Sequence, residues 1–348
     1  MTRAKGRTTI YDVASRAGVA ISTVSRVING SSDVAEGTRA RVLQAIARLE
    51  YRPDRTARAL ASQRRRTLCI ALPSFTTPFH TELLKGVRAR LQEQDFDLLL
   101  CDLGSLAPAQ TLLRFLHRGT VDGLLLAGMP ITDELASELR ALQAPVVLVG
   151  HAWPEFSAIV WDDYAGGRLA MEHLLSLGHR RIGFIRAHTG SELQAGRARA
   201  YREALAEAGI AFDPALVQCS FTTKHGGFSE EAGYEAMQLL LRQAPDVAAV
   251  FASSDVQAFG VFKAAREAGR RIPEDLSVVG YDGIKATRYV GLTGIDQRIR
   301  EAGELAADVL LEQVCDPSPR PSVNVTLEPT LCVRTSTSLA LHGYASIE

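Results

Sequence analysis

The sequence predicts an N-terminal all-α helix-turn-helix head joined to an α/β body whose parallel sheets form two lobes. Three observations carry this expectation. Small apolar residues keep helical spacing through the first fifty positions. Charge is divided along the chain: residues 1–66 hold 14 Lys and Arg against 5 Asp and Glu, whereas the other 282 hold 25 against 34. From Thr67 onward apolar runs alternate with amphipathic stretches, and the series starts again at RRIGFIR. A basic head on an acidic body is a pattern of polyanion binders.

At 348 residues the chain exceeds one ordinary core. Its 46% hydrophobic and 22% charged content is that of a globular protein. No apolar run reaches the length of a membrane span, so none is expected. The basic start MTRAKGRTTI has no apolar core behind it and does not read as a secretory signal. Five scattered cysteines, at 69, 101, 219, 315 and 332, form no CxxC pair. This points to reduced thiols in a cytoplasm, without a disulfide framework or a metal site. Cys69 and Cys101 sit in strand-like runs and read as core.

The first helix starts at TTIYDVASRAG, with Thr9 as N-cap and Asp12 completing an acidic variant of the capping box. Ile10, Val13, Ala14 and Ala17 keep helical spacing, and Gly18 supplies a left-handed stop. The second helix runs from about Ile21 to Ile28 and ends at Asn29-Gly30. Two short helices joined by a turn of three or four residues make a helix-turn-helix. The third spans about Glu36 to Glu50, with Val42, Leu43, Ile46 and Leu49 as its buried face.

In VAISTVSRVING, Ser22, Ser25, Arg26 and Asn29 share one side of the second helix, and Val24, Val27 and Ile28 the other. Such a polar stripe suits the DNA major groove. Arg26 is the natural base reader, because a guanidinium bonds guanine O6 and N7 together. Ile21 and Ser22 sit where base edges are met, and Ser25, Asn29 and Thr38 suit phosphates. Thr9, Ile10, Tyr11 and Thr23 complete the expected contacts of the head. The competing reading is a structural three-helix domain with a solvated face.

TIYDVASRAGVAISTVSRVING and VAEGTRARVLQAIARLEYRPDRTARALAS together resemble, without a gap, the DNA-binding head of the LacI/GalR family of bacterial transcription regulators. The resemblance makes TVSRVIN the recognition helix, with Arg26 as main base contact and Ile21 and Ser22 as specificity positions. Ala20 departs from it, since the family usually has Ser or Thr there; an N-cap lost to alanine costs about 1 kcal/mol. RPDRTARALAS becomes a hinge helix that orders on DNA, where eight or so residues alone are too few for a stable helix. Leu60 matches the residue that wedges a minor-groove step apart. Arg55, Ala57 and Arg58 are further expected DNA contacts. Without the resemblance Leu60 would be an ordinary buried leucine, and the RRR at 64–66 reads mostly as linker charge.

In the body, TLCIALP, FDLLLCD, VDGLLLAG and APVVLVG alternate with helical stretches, which means βαβ units and a parallel sheet. Ligands of such sheets sit beyond the carboxyl ends of the strands. The loops found there carry Asp162, Asp255 and Asp282, with Phe75, Phe79, Trp161 and Phe228 as candidate walls and Arg197 and Gln297 as polar clamps. Carboxylates beside aromatic rings suit a polyhydroxylated ligand. Any one of them alone is as well explained as a helix cap or core residue.

The same family resemblance extends over LLSLGHRRIGFI, YREALAEAGI, LRQAPDVAAVFASSD and IPEDLSVVGYDG. It implies a periplasmic-binding-protein-like body, two lobes joined by three crossovers. It also implies effector contacts at Phe79, His80, Arg197, Phe228, Ser254, Asp255, Asp282 and Gln297. The chain departs from the family at His80, Ser254, Gly283 and Gly294, which places the identity of the ligand in question. His179 and Arg180 read as structural, packing a helix end onto the next strand.

The expected division is a helix-turn-helix domain at 1–50, a hinge at 51–66 and an effector-binding and dimerisation body at 67–348. Lobe N takes about 67–162 and 293–325, and lobe C about 163–292 and 326–340. No GxSxG elbow, HExxH, Walker loop or GxGxxG opening a strand-helix unit is present, which argues against an enzyme. No cofactor is expected. The expectation is a cytoplasmic, homodimeric regulator that represses transcription from near-palindromic double-stranded operator DNA under control of a small-molecule effector. A sugar is favoured, with a nucleobase corepressor as the alternative and a stand-alone solute-binding protein as the more distant one. The tail TSTSLALHGYASIE has no leucine heptads, so no coiled coil is expected there.

Overall fold

The computed structural model describes residues 8–28, 31, 33–51, 66–104, 107–117, 121–188, 192–318 and 320–340. The chain divides into two compact units, residues 1–66 and 67–348.

The head holds α1 (Ile10–Ala17), α2 (Ile21–Ile28) and α3 (Glu36–Arg48). Asp12 opens α1 by accepting the N–H of Thr9 at 2.7 Å and its hydroxyl at 2.8 Å. Gly18, at φ 65°, closes it and lets the N–H of Val19 reach the carbonyl of Ala14. The core is built of small residues, Val13, Ala17, Val24, Val27, Val34, Val42 and Ala45. Small side chains let three short helices approach closely enough to exclude water. Leu43 does not join them: it is 52% exposed. The buried face of α3 follows Val42, Ala45, Ile46 and Leu49, and Leu43 lies about 100° round the helix from Val42.

In the body the first sheet comprises β1 (Thr67–Leu72), β2 (Asp97–Asp102), β3 (Gly123–Ala127), β4 (Val146–Val149), β5 (Ser157–Trp161) and β11 (Asn324–Leu327). Its order is β11-β5-β4-β3-β1-β2, with every pair parallel. The second sheet comprises β6 (Ile182–Arg186), β7 (Val217–Cys219), β8 (Ala249–Ala252), β9 (Ser277–Asp282), β10 (Thr293–Asp296) and β12 (Thr330–Cys332). Its order is β12-β10-β9-β8-β6-β7, and only the edge pair β10–β12 is antiparallel.

Helices cover both faces of each sheet, which is why the strands read as continuous apolar runs. On the first sheet α4 (Pro78–Leu91) and α12 (Ile299–Cys315) lie opposite α5 (Pro108–Leu116) and α6 (Asp133–Ala141). On the second, α7 (Asp163–Ser176) and α8 (Glu192–Glu207) lie opposite α9 (Glu230–Gln243) and α10 (Asp255–Glu267). Helix α11 (Thr287–Val290) is a single turn between β9 and β10.

The chain crosses between sheets three times, after Trp161, after Asp296 and after Leu327. Two lobe limits therefore move. Residues 293–296 belong to the second sheet, because β10 pairs with β9 in parallel register from Thr293↔Val279. Thr326 and Leu327 belong to the first, paired with Val160 and Trp161. Apolar runs of four residues carry no mark of which sheet will take them.

After β12 the tail zips along the second lobe. Ser336 donates to the carbonyl of Val278 and accepts the N–H of Thr293. His179 bonds the hydroxyl of Ser277 at 2.9 Å and the carbonyl of Ser338 at 3.0 Å. His179 thus anchors β9 and the tail rather than the strand that follows it. Among the described residues no helix is long and apolar enough to cross a membrane.

Two expected outcomes follow from this packing. Gly86 of α4 faces the main chain of α12, and a Cβ there would strike the carbonyl of Arg300. Gly86→Ala should lower stability by about 1–3 kcal/mol in urea unfolding; an unchanged midpoint would show that α4 and α12 can separate freely. Burial lowers the pKa of His179, and also of His173 beside it. Their contribution is complete above the ordinary imidazole value and is lost as pH falls below it. The melting temperature should drop between pH 7 and pH 5, and drop less in His179→Gln.

Candidate functional site

In the head, α2 buries Val24 and Val27 and turns Ser22 and Arg26 outward, with Ile21 at 39% exposure. Tyr11 on α1 is 68% exposed, whereas Ile10 packs on the core. Thr9 is exposed and its hydroxyl donates to Asp12. Asn29, Arg55, Ala57, Arg58 and Leu60 lie outside the described residues.

A hollow of about 340 Å³ opens between α2 and α3, lined in part by Ala20, Thr23, Arg26, Ala35, Thr38 and Arg41. Each helix is preceded by an alanine, Ala20 before α2 and Ala35 before α3. The carbonyl of Ala20 accepts from Thr23 and Val24, that of Ala35 from Thr38 and Arg39, and Ala35 provides no side-chain cap. Helix N-termini without side-chain caps, beside hydroxyls and guanidinium groups, are chemically suited to phosphate. Sequence reasoning had selected Thr23, Arg26 and Thr38 here but missed Arg41, which lies three residues beyond Thr38 on the same helix face.

In the body the carboxyl ends of the two sheets bring a different set together. Trp161, at the end of β5, donates its indole N–H to the carbonyl of Gln297 at 2.7 Å. Its ring meets Phe79 edge to face at 5.6 Å, and Phe79 meets His80 at 5.4 Å. The side-chain amide of Gln297 donates to Asp282 at 2.8 Å. Phe79, Trp161, Gln297 and Asp282 thus form a continuous contact chain from one lobe to the other. Asp282 has a left-handed backbone at φ 124°. Burial raises its carboxyl to about 7, against the opposing pull of Arg197. His80 shares a 2.7 Å hydrogen bond with the hydroxyl of Thr77. Burial, aided by the charge of His225, holds it down at about 4, so the ring is neutral.

Other selected residues serve the scaffold. Asp255 turns away from the cleft: one oxygen accepts the N–H groups of Gly283 at 2.8 Å and Ile284 at 2.9 Å. The other is buried against Gly280 and has no hydrogen-bond partner among the described residues. Burial pushes this carboxyl well above the usual range. Ser254 caps α10 through the N–H of Gln257, and Asp162 caps α7 through that of Ala165. Arg197 is buried and engaged: Nε and Nη2 reach Asp163 at 2.7 and 2.6 Å, and Nη1 donates to the carbonyl of Ser253. Its plane lies 3.6 Å over the ring of Tyr281.

Phe75 is 40% exposed in the loop after β1, and Phe228 is half-buried behind the turn at 224–227. A second hollow, of about 370 Å³, is lined by His151, Tyr164 and Gly196 and takes in only Trp161 and Asp162 of the selected residues. Polar groups from both lobes meet in the Trp161–Gln297–Asp282 chain, and His80 of the first lobe lies close enough to His225 of the second to feel its charge. Sequence reasoning missed Thr77, Asp163, His225 and Tyr281. Asp163 directly follows Asp162 in the sequence, and nothing local marks it as the partner of Arg197. Among the described residues no group of three or more His, Cys, Asp or Glu is placed to hold a metal ion.

Residues 9–54 match a family model described as bacterial regulatory proteins, lacI family, and residues 171–337 match a periplasmic binding protein-like domain. The HTH-type transcriptional regulator CelR of Thermobifida fusca is 36% identical over 341 residues, covering 95% of this chain and 98% of its own. A solved transcriptional regulator CelR–cellobiose complex is 34% identical with a TM-score of 0.69, covering 95% of this chain and 100% of that one. The lac repressor dimer bound to operator and the anti-inducer ONPF is 26% identical with a TM-score of 0.82, covering 96% and 100%.

Removing the Asp255 carboxyl should free the turn after β9. Asp255→Ala should cost about 1–3 kcal/mol of stability, and Asp255→Asn, whose amide oxygen can still accept both N–H groups, should cost less. Equal losses in urea unfolding would show that the two hydrogen bonds do not hold the turn.

Proposed function

The chain belongs to the lacI family of bacterial regulatory proteins, and from that premise we propose that it represses transcription from an operator whose occupancy a small polar effector controls. The observation that carries the DNA side is α2, which seals Val24 and Val27 inside and turns Arg26 outward from a helix-turn-helix. Arg26 reads a guanine edge, and Ile21 and Ser22 tune the site. Thr23, Thr38 and Arg41 hold phosphates on the unblocked ends of α2 and α3. Arg55 and Arg58 neutralise phosphates beside the hinge, and Leu60 opens a minor-groove step.

The protein acts in the cytoplasm as a homodimer, so its operator is near-palindromic. Leu99 and Leu100 are exposed on β2, a sheet edge that favours being covered by a second copy. The effector lies between the lobes against Asp282 and Gln297, walled by Phe79 and Trp161. A carboxylate and an amide beside aromatic rings favour a sugar, in keeping with the cellobiose held by the similar CelR complex. By binding one arrangement of the lobes better than the other, the effector shifts operator affinity, and operator shifts effector affinity by the same factor.

The test selects binding sites from random duplex DNA with full-length protein, then repeats the selection with Arg26→Ala. The variant should lose about 1–3 kcal/mol of discrimination per half-site and keep the body's melting temperature. Retained sequence selection in Arg26→Ala would overturn the assignment of α2.

A further inference from the structure

We propose that the cleft rejects anionic effectors and that Asp163 is the specificity-determining residue. The inference rests on the reading above, that the effector sits against Asp282 and Gln297. Arg197 is the residue the sequence nominates as a clamp for a charged or polar ligand. In the structure each of its three nitrogens already faces an acceptor. Two of its nitrogens meet the carboxylate of Asp163 at 2.7 and 2.6 Å, and the third donates to the carbonyl of Ser253. Tyr281 covers its plane at 3.6 Å. Arg197 and Asp163 are each 5% exposed.

A phosphate that took the two nitrogens facing Asp163 would displace that carboxylate and leave it buried without its cation, a strongly unfavourable state. The phosphate would also approach Asp282, whose charge is felt at the same guanidinium. A neutral hydroxyl meets no such obstacle, since it can donate to Asp282 without disturbing the buried pair. Charge complementarity thus separates a free sugar from its phosphate ester by repulsion rather than by an added contact.

The experiment measures melting of the full-length protein with matched pairs: ribose and ribose 5-phosphate, glucose and glucose 6-phosphate. Inorganic phosphate is added against chloride at equal ionic strength. No anionic member should stabilise the wild type saturably, and Asp163→Asn should bind inorganic phosphate at least tenfold more tightly than wild type. Asp282→Asn, which leaves the Arg197–Asp163 pair intact, should remain indifferent to phosphate and serves if Asp163→Asn does not fold. A saturable rise in the wild type with a phosphate ester but not its parent sugar would overturn the proposal. So would phosphate binding by Asp282→Asn, or a folded Asp163→Asn that ignores phosphate. A neutral sugar that bound wild type and Asp282→Asn equally would instead unseat the placement of the effector and leave the charge rule standing.

Discussion

The indole N–H of Trp161 donates to the main-chain carbonyl of Gln297 across 2.7 Å, at a place that water does not reach. Trp161 ends the last strand before the first crossover, and Gln297 follows the last strand before the second. This one bond therefore joins two of the three connections between the lobes. Gln297 then passes its amide to Asp282, so this residue links the second sheet to the first, where Val256 and Ile284 also pack into the first lobe's core. A ligand that meets Asp282 is one hydrogen bond away from the crossovers. The groups there are buried and packed, and such interiors do not deform continuously.

Around this chain the scaffold does quiet work that limits what the cleft can do. Asp255 fixes the turn that gives Asp282 its left-handed backbone. Gly283 follows at φ 80° and stands against the carboxylate of Asp296, so no side chain fits there. Asp163 satisfies Arg197 from below. The buried charges are paired or hydrogen-bonded and so hold the site rigid, and a rigid site distinguishes ligands by what it refuses as well as by what it accepts.

The head follows a different economy of parts. Its core is valine and alanine, and two of its helices are preceded by Ala20 and Ala35. Side-chain caps would have stabilised those helices, but they would also have occupied N–H groups that a phosphate can use.

Sequence alone determined the two architectures, because helical and strand periods are local and repeat over many residues. It determined Arg26 as the exposed cation of α2, since Val24 and Val27 leave one side for it. It also selected Asp282, Gln297, Trp161 and Phe79, which do meet. Only the tertiary structure decided which carboxylate joins the chain between the lobes and which hold the fold: Asp282 meets Gln297, whereas Asp162, like Ser254, caps a helix, and Asp255 braces a turn. The three aspartates follow strands in similar local sequence, so nothing nearby in the chain separates them. Arg197 and Asp163 are 34 positions apart, and their pairing depends on how α7 and α8 cross. Strands β10 and β11 were likewise assigned by their pairing partners, which for β11 is β5, more than 160 positions earlier: Asn324 pairs with Ala158. The limit is physical: periodicity records which side of an element is buried, whereas the partner it is buried against is set by contacts between distant segments.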